Sequence, residues 1–328
     1  MERQALIDML NKDLADEHIS VIRYLTHAYQ EGEDTPFGSM LLAMAREEMW
    51  HMDWLGDVLG ELGAEPEMVP SIYPHDPTSN ATLLRSYIAW ENNLIVEYAR
   101  QAAMVDDPEI KRVLMQQSIE SEVHSQRFAK MLEKLGKAAD APHCFTDTGE
   151  FSTRMLGRLQ GEMSDEYKLM LQHLRDAFVF EDDASVSSEL ELTAMRHMKH
   201  LSHLAESMAE AGHMPQFVPP RLAKSGDLGD ALKNNLDLTQ AAKSRFEALL
   251  EEDELAEHKG LKIEVKQMIN QETFLAEQVE EMLEGVAASE AEAQETQAAE
   301  PGVEPAPPPP EDKNPLGKWT VGSLIKKG

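Results

Sequence analysis

Apolar residues recur every three to four positions over most of the chain, which is the period of an amphipathic α-helix. Breaks rich in Gly, Pro and Asp divide this pattern into segments. In the first half it predicts four long helices, over 2–31, 36–63, 78–105 and 107–137. In the second half it predicts four more, over 151–182, 184–212, 228–252 and 254–285. No β-strand alternation is present, so we expect an all-α fold.

The two groups of helices carry the same landmarks at an offset of 149 residues. The corresponding positions are Glu17 and Glu166, Gly63 and Gly212, Pro66 and Pro215, and Pro70 and Pro219. Shared register over helices and loops predicts a tandem repeat of two four-helix bundles, over 1–140 and 150–285. We expect the two bundles to pair within the chain, as the subunits of a homodimer do between chains.

Every helix of the first group places a carboxylate where the periodicity demands a core residue, and two helices add a histidine one turn later. A buried carboxylate costs several kcal/mol unless it is paired or bound to a metal, and these stripes carry no basic residue. Glu and His side chains on facing helices are how bundle cores hold two iron or manganese ions. The predicted ligands are Glu17, Glu48, His51, Glu91, Glu120 and His124.

At these residues the first half resembles the ferritin-like superfamily, and most closely bacterioferritins and rubrerythrin-type di-iron proteins. The resemblance lies in the stretch from Asp16 to Ala28 and in Glu48-Met49-Trp50-His51. It implies a dinuclear iron centre, with manganese as the alternative metal. It also implies Glu17 and Glu91 as terminal or bridging ligands, Glu48 as a bridge, and His51 as a ligand of the same metal pair.

The fourth helix departs from the family pattern, which has a glutamate three residues before the histidine. Ser121 holds that position before His124, so we expect Glu120 to be the ligand, because it shares a helical face with His124. Met49 falls where bacterioferritins present the methionine that ligates haem. The chain has 19 methionines, and methionine is more often core filler, so haem is not expected. Tyr24 is a candidate catalytic redox partner, and the alternative is a hydrogen-bonded core tyrosine.

The second half is altered at the positions of the predicted ligands. Thr239 and Leu275 stand where Glu91 and His124 stood, so a dinuclear site of the family type cannot be built. We expect a degenerate bundle that acts as a structural partner. The alternative is a mononuclear site of the His/carboxylate type, which suits zinc or iron, from Glu166, His197, His200 and Glu272.

Composition narrows the classes of partner. The formal net charge of −30 disfavours binding to nucleic acid or to an anionic membrane. The one cysteine, Cys144, excludes an intrachain disulfide framework and a cysteine-based zinc site. No signal-peptide pattern and no run of 18 apolar residues is present, so we expect a cytoplasmic protein.

After residue 285 the composition changes to Ala, Glu and Pro, which predicts a disordered linker over 286–315. Residues 316–328 are apolar and basic, and we expect them to be a docking peptide. Their Thr320-Val-Gly-Ser-Leu-Ile-Lys stretch resembles the targeting peptides that load cargo enzymes into encapsulin shells. A membrane anchor and a frayed tail are the alternatives. The expected docking anchors are Trp319, Val321, Leu324 and Ile325.

Three functions fit these features. The first is an encapsulated ferroxidase that oxidises Fe(II) with O₂ or peroxide for iron storage inside an encapsulin compartment. The second is destruction of peroxide, as in rubrerythrins or manganese catalases, although rubrerythrins usually add a cysteine-rich site that this chain lacks. The third is a non-enzymatic cargo or adaptor protein that binds metal.

Overall fold

The computed structural model describes residues 1–73, 76–142 and 146–299, and most of these residues are helical. The first four helices are α1 (Arg3–Glu31), α2 (Pro36–Glu61), α3 (Asn80–Met104) and α4 (Pro108–Leu135). The second four are α5 (Thr153–Val179), α6 (Ala184–Glu210), α7 (Leu228–Leu250) and α8 (Lys259–Ala299). Short 3₁₀ turns cover Gly136–Asp140 and Asp253–Ala256. No strand occurs in the described residues, so the all-α prediction is confirmed there.

Local sequence explains where the helices begin. The Thr35 side chain accepts a hydrogen bond from the backbone N–H of Gly38, and Pro36 opens α2. Ser79 forms a capping box with Thr82 at the start of α3. The Asp107 side chain caps α4 by accepting hydrogen bonds from two backbone N–H groups. The starts of the first four helices predicted from the sequence lie within two residues of the observed ones.

The last helix is longer than predicted. We expected a disordered linker from residue 286, whereas α8 continues to Ala299. Ala and Glu dominate 286–299 and are strong helix formers, and the first proline after residue 285 is Pro301. The remainder of the predicted linker, 300–315, and the predicted docking peptide, 316–328, lie outside the described residues.

Helices pack in antiparallel neighbours within each half. In the first half α1 lies along α2, α3 lies along α4, and α2 also contacts α4. In the second half α5 lies along α6 and α7 along α8, while α5 contacts α7 and α6 contacts α8. Each group is compatible with a helical bundle, and in the described residues no helix is long and apolar enough to cross a bilayer.

The two halves meet through α1 against α6 and α2 against α5. The ring of Phe178 lies so close to Gly56 that a Cβ there would come within 2.4 Å of it, so only glycine permits this packing. Nearby, the His18 Nε2 atom lies 2.6 Å from the Tyr167 hydroxyl oxygen. These two residues are 149 positions apart, which is the offset of the sequence repeat. His18 therefore meets the residue that corresponds to it in the second half.

A buried arginine also joins the halves. The Arg175 guanidinium of α5 donates to both carboxylate oxygens of Glu65, at 3.0 and 2.6 Å, and to Asp176 Oδ1 at 2.6 Å. Asp176 is fully buried, and burial raises its pKa while Arg175 opposes that effect. Loss of the arginine would leave this carboxylate without its cationic partner.

We expect Arg175→Leu to lower the free energy of unfolding by about 3 kcal/mol, since removing one partner of a buried pair strands the other. Urea unfolding followed by circular dichroism measures the change. Arg154→Leu is the matched control, because Arg154 pairs with Glu252 at the surface and such pairs contribute about 0–1 kcal/mol. Equal losses in the two variants would contradict the structural role of Arg175.

Candidate metal centre

Five of the predicted ligands come together at the centre of the first four helices. Each of α1, α3 and α4 turns one core-facing side chain toward the same point and α2 turns two, and all five side chains are fully buried. The helical period explains the pairing of carboxylate and imidazole on α2, where the two side chains are three residues apart. The cluster consists of Glu17 from α1, Glu48 and His51 from α2, Glu91 from α3 and His124 from α4.

The cluster divides into two ligand groups that share Glu48. In one group, His51 Nδ1 lies 2.8 Å from Glu48 Oε2 and 3.5 Å from Glu17 Oε2. In the other, His124 Nδ1 lies 3.0 Å from Glu48 Oε1 and 3.8 Å from Glu91 Oε1. The two oxygens of Glu48 therefore face different histidines, and each group adds one further carboxylate. This is the arrangement that a pair of metal ions bridged by one carboxylate requires.

The inward atoms of this cluster lack hydrogen bonds of acceptable geometry. The atoms are Glu17 Oε2, both oxygens of Glu48, Glu91 Oε2, and the Nδ1 atoms of His51 and His124. Buried polar atoms are almost always satisfied, so a set of unsatisfied ones that face each other needs an explanation. Nitrogen and carboxylate oxygen donors at these separations fit divalent iron, manganese or zinc. The residues present therefore fit the predicted metal pair.

The outer nitrogen of each histidine meets a second glutamate. Glu120 Oε2 lies 2.7 Å from His51 Nε2, and Glu47 Oε2 lies 2.8 Å from His124 Nε2. Such outer carboxylates fix the tautomer and orientation of metal-binding imidazoles. The structure therefore places Glu120 behind His51 rather than in the cluster where we expected it. The two outer glutamates are about a quarter exposed, so they connect the buried cluster to the surface between α2 and α4.

Two tyrosines support the carboxylates in a crossed pattern. Tyr24 on α1 donates a hydrogen bond to Glu91 on α3, and Tyr98 on α3 donates one to Glu17 on α1. Each tyrosine lies seven residues after the glutamate of its own helix and serves the glutamate of the other. Tyr24 is thus in direct contact with the cluster, as a hydrogen-bond donor. Tyr98 and Glu47 were not predicted from the sequence, although the spacing of seven residues on both helices was a signal for Tyr98.

Burial and mutual repulsion set the protonation of the cluster. Burial, with Glu48 nearby, raises the pKa of Glu17 to about 7 and raises that of Glu91 well above its usual range. Burial also opposes ionisation of Glu48, but the two histidines lower its pKa below the usual value. The pKa values of His51 and His124 are raised well above normal, because the carboxylates outweigh burial. Bound cations would have to displace these protons.

The fourth helix contributes no inward carboxylate. Ser121 holds the position three residues before His124, and its buried hydroxyl has no hydrogen-bond partner. The cluster therefore offers three inward carboxylates and two imidazoles, which is one carboxylate fewer than the family pattern. Met49, which corresponds in position to the haem-binding methionine of bacterioferritins, is partly buried and packs against the hydrophobic core.

The second half also brings its predicted residues together. Donor atoms of Glu166, His197, His200 and Glu272 all lie within 4.8 Å of one another, and the four side chains are buried. Thr239 and Leu275 are buried as well, at the positions that correspond to Glu91 and His124. The second cluster therefore has ligand atoms for one ion and lacks those of a second.

No family model matches the chain, and no curated protein is significantly similar to it.

We expect Tyr24→Phe and Tyr98→Phe to weaken binding of divalent metal at the first cluster by similar factors, on the order of 10- to 100-fold. Each change removes one hydroxyl that orients one carboxylate, and the ring remains to fill the core. Calorimetric titration with Mn²⁺ measures both affinities. A loss of Fe(II) oxidation in Tyr24→Phe alone, with metal affinity unchanged, would instead assign Tyr24 the redox role.

Proposed function

We propose that this chain is a ferritin-like di-iron protein that oxidises Fe(II), with O₂ or peroxide as the oxidant. The observation that carries the proposal is Glu48, whose two oxygens face the Nδ1 atoms of two different histidines. A carboxylate shared in this way, with one terminal carboxylate on each side, supports a dinuclear rather than a mononuclear site. The resemblance of the first half to bacterioferritins supports iron as the metal, with manganese as the alternative.

Iron at this cluster would supply the redox chemistry, because Fe(II) donates electrons readily to O₂ or peroxide when it is bound by carboxylates and imidazoles. The protein residues bind and orient the ions. Glu17 and Glu91 are held by the crossed tyrosines, and the imidazoles are held by Glu120 and Glu47. The helices exclude bulk water, since no inward ligand has exposed surface.

Charge supports delivery of the substrate ion. Glu47 and Glu120 are partly exposed beside the buried cluster, and the whole chain carries a formal net charge of −30. A strongly negative surface raises the local concentration of cations and speeds their association. Arg127 binds Glu47 at 2.8 Å, so an arriving cation would compete with this arginine for the outer carboxylate.

The second half is proposed to be a duplicate bundle that pairs with the first inside one chain. Its helices follow those of the first half in order and near-constant register. The contact between His18 and Tyr167 joins two positions that the repeat makes equivalent, as a twofold interface does at its axis. This supports an internal pseudo-dimer of the bundles at 1–140 and 150–285.

Residues 316–328 are proposed to dock this protein to an encapsulin shell, so that iron oxidation takes place inside the compartment. The support is from sequence alone: apolar anchors follow a proline-rich stretch, and the motif resembles cargo-loading peptides. A tethered peptide raises the effective concentration of the enzyme at the inner wall of the shell.

We expect Glu48→Ala and His51→Ala to slow aerobic Fe(II) oxidation on the order of 100-fold, because each change removes a ligand and supporting residues alone are worth 10- to 100-fold. Fe(II) is mixed with metal-free protein in air, and the initial rate of the increase in Fe(III) absorbance measures the oxidation rate. Glu61→Ala and His203→Ala are the controls, since Glu61 is exposed on α2 and His203 is about half exposed on α6.

Equal rates in the wild type and in the ligand variants would exclude the ferroxidase proposal. Faster turnover of the reduced protein with H₂O₂ than with O₂ would identify peroxide as the oxidant. Metal uptake without turnover of Fe(II) or peroxide would instead support a non-enzymatic cargo or adaptor protein that binds metal.

The docking proposal has its own test. Co-expression with an encapsulin shell protein should load the full chain, and deletion of 316–328 should abolish loading without changing Fe(II) oxidation. Size-exclusion chromatography followed by gel analysis of the shell fraction measures loading. A truncated protein that still elutes with the shell would show that these residues are not the docking peptide.

A further inference from the structure

The second half contains a buried cluster that the proposed oxidation does not use. Glu166 comes from α5, His197 and His200 from successive turns of α6, and Glu272 from α8. At most 2% of any of these side chains is exposed. Three helices thus direct two carboxylates and two imidazoles into one closed space.

The Nδ1 atoms of both histidines face both carboxylates. His197 Nδ1 lies 2.9 Å from Glu166 Oε2 and 3.5 Å from Glu272 Oε1. His200 Nδ1 lies 3.1 Å from Glu166 Oε2 and 3.0 Å from Glu272 Oε1. Four ligand atoms placed about 2.1 Å from one tetrahedral ion lie about 3.4 Å apart, so these separations suit a single ion after small adjustments.

Hydrogen bonds alone do not satisfy this cluster. Both Nδ1 atoms make their hydrogen-bond contact with the same atom, Glu166 Oε2. Glu166 Oε1 and both oxygens of Glu272 have no hydrogen-bond partner, although Glu272 is fully buried. A cation between the four side chains would engage both carboxylates and both imidazoles at once, and would satisfy the oxygens that hydrogen bonds leave without a partner.

The outer contact of His200 supports the same assignment. Its Nε2 atom lies 2.5 Å from the amide oxygen of Gln271, so this nitrogen carries the proton. A cation in the cluster would displace the proton from Nδ1, whose lone pair would then bind the ion while Nε2 keeps its hydrogen bond, as in imidazoles that bind metals. In the first cluster the corresponding outer partners are glutamates, so the second cluster has a neutral partner where the first has charge.

We propose that Glu166, His197, His200 and Glu272 bind one divalent transition-metal ion of the zinc class in a mononuclear site. In the part of the chain that the structure describes, a second ion would lack two of the ligands found in the first cluster, because Leu275 replaces His124 and Thr239 replaces Glu91. Four protein donors fill a tetrahedral shell and leave no position for substrate, which is typical of structural sites. The ion links α8 to α5 and α6 through its ligands. Without it, α8 packs mainly along α7. This site does not depend on the proposed oxidation.

The test uses the full chain after removal of metal with a chelator, and zinc alone as the probe. After dialysis, Glu272→Gln and His200→Ala should each retain one zinc ion fewer per chain than the wild type, and should lose the zinc-induced rise in melting temperature. His203→Ala should match the wild type, since it changes a histidine on the same helix that is about half exposed. Unchanged zinc stoichiometry in Glu272→Gln would overturn the proposal.

A second measurement tests the proposal even if Glu272→Gln or His200→Ala fails to fold. X-ray absorption of zinc bound to Glu48→Ala, in which the first cluster is impaired, should show an ion with two imidazole nitrogens and carboxylate oxygens as ligands. Wild-type protein that takes up zinc only at the first cluster, with none retained by Glu48→Ala, would also overturn the proposal. Failure of Fe(II) oxidation would leave both of these results unchanged.

Discussion

The structure depends on how helical cores accommodate carboxylates that water cannot reach. Desolvation of an ionised glutamate is expensive, and this chain buries three glutamate side chains at one point and two at another. The surrounding contacts are arranged to meet that requirement, with a tyrosine for each terminal carboxylate and a histidine for each oxygen of Glu48. The protein is thus organised around ionisable side chains whose burial is unfavourable unless they are paired. The apolar residues determine where those side chains meet.

Much of this arrangement could be predicted from helical periodicity. Periodicity gives the face of each residue, and it located Glu17, Glu48, His51, Glu91 and His124, which the structure brings together. It does not say which ring nitrogen faces inward. Glu120 shares a face with His124, yet it turns toward the outer nitrogen of His51, because its carboxylate lies nearer the surface. Predicting that contact needs the positions of two helices relative to each other.

The crossed tyrosines show a second limit of the sequence. Tyr24 and Tyr98 each lie two turns from the glutamate of their own helix, and each serves the glutamate of the other helix. The residue pattern of a single amphipathic helix does not show which glutamate on another helix a tyrosine will contact. The extension of α8 was missed for another reason, since Ala and Glu were interpreted with the prolines that follow them, although their helix propensity decides the structure up to Ala299.

The contact between His18 and Tyr167 has a consequence for the history of the chain. A homodimer of one sequence must place identical residues opposite each other at its twofold axis. Here an imidazole faces a phenol, at positions that the repeat makes equivalent. Under the proposed duplication, covalent fusion released the two copies from symmetry, so that substitutions no longer appeared on both sides at once. One copy could then carry His197 where the other carries Glu48, and lack the ligands that Glu91 and His124 provide in the other. Under this proposal the two copies would be complementary parts, since neither carries the ligand set of the other.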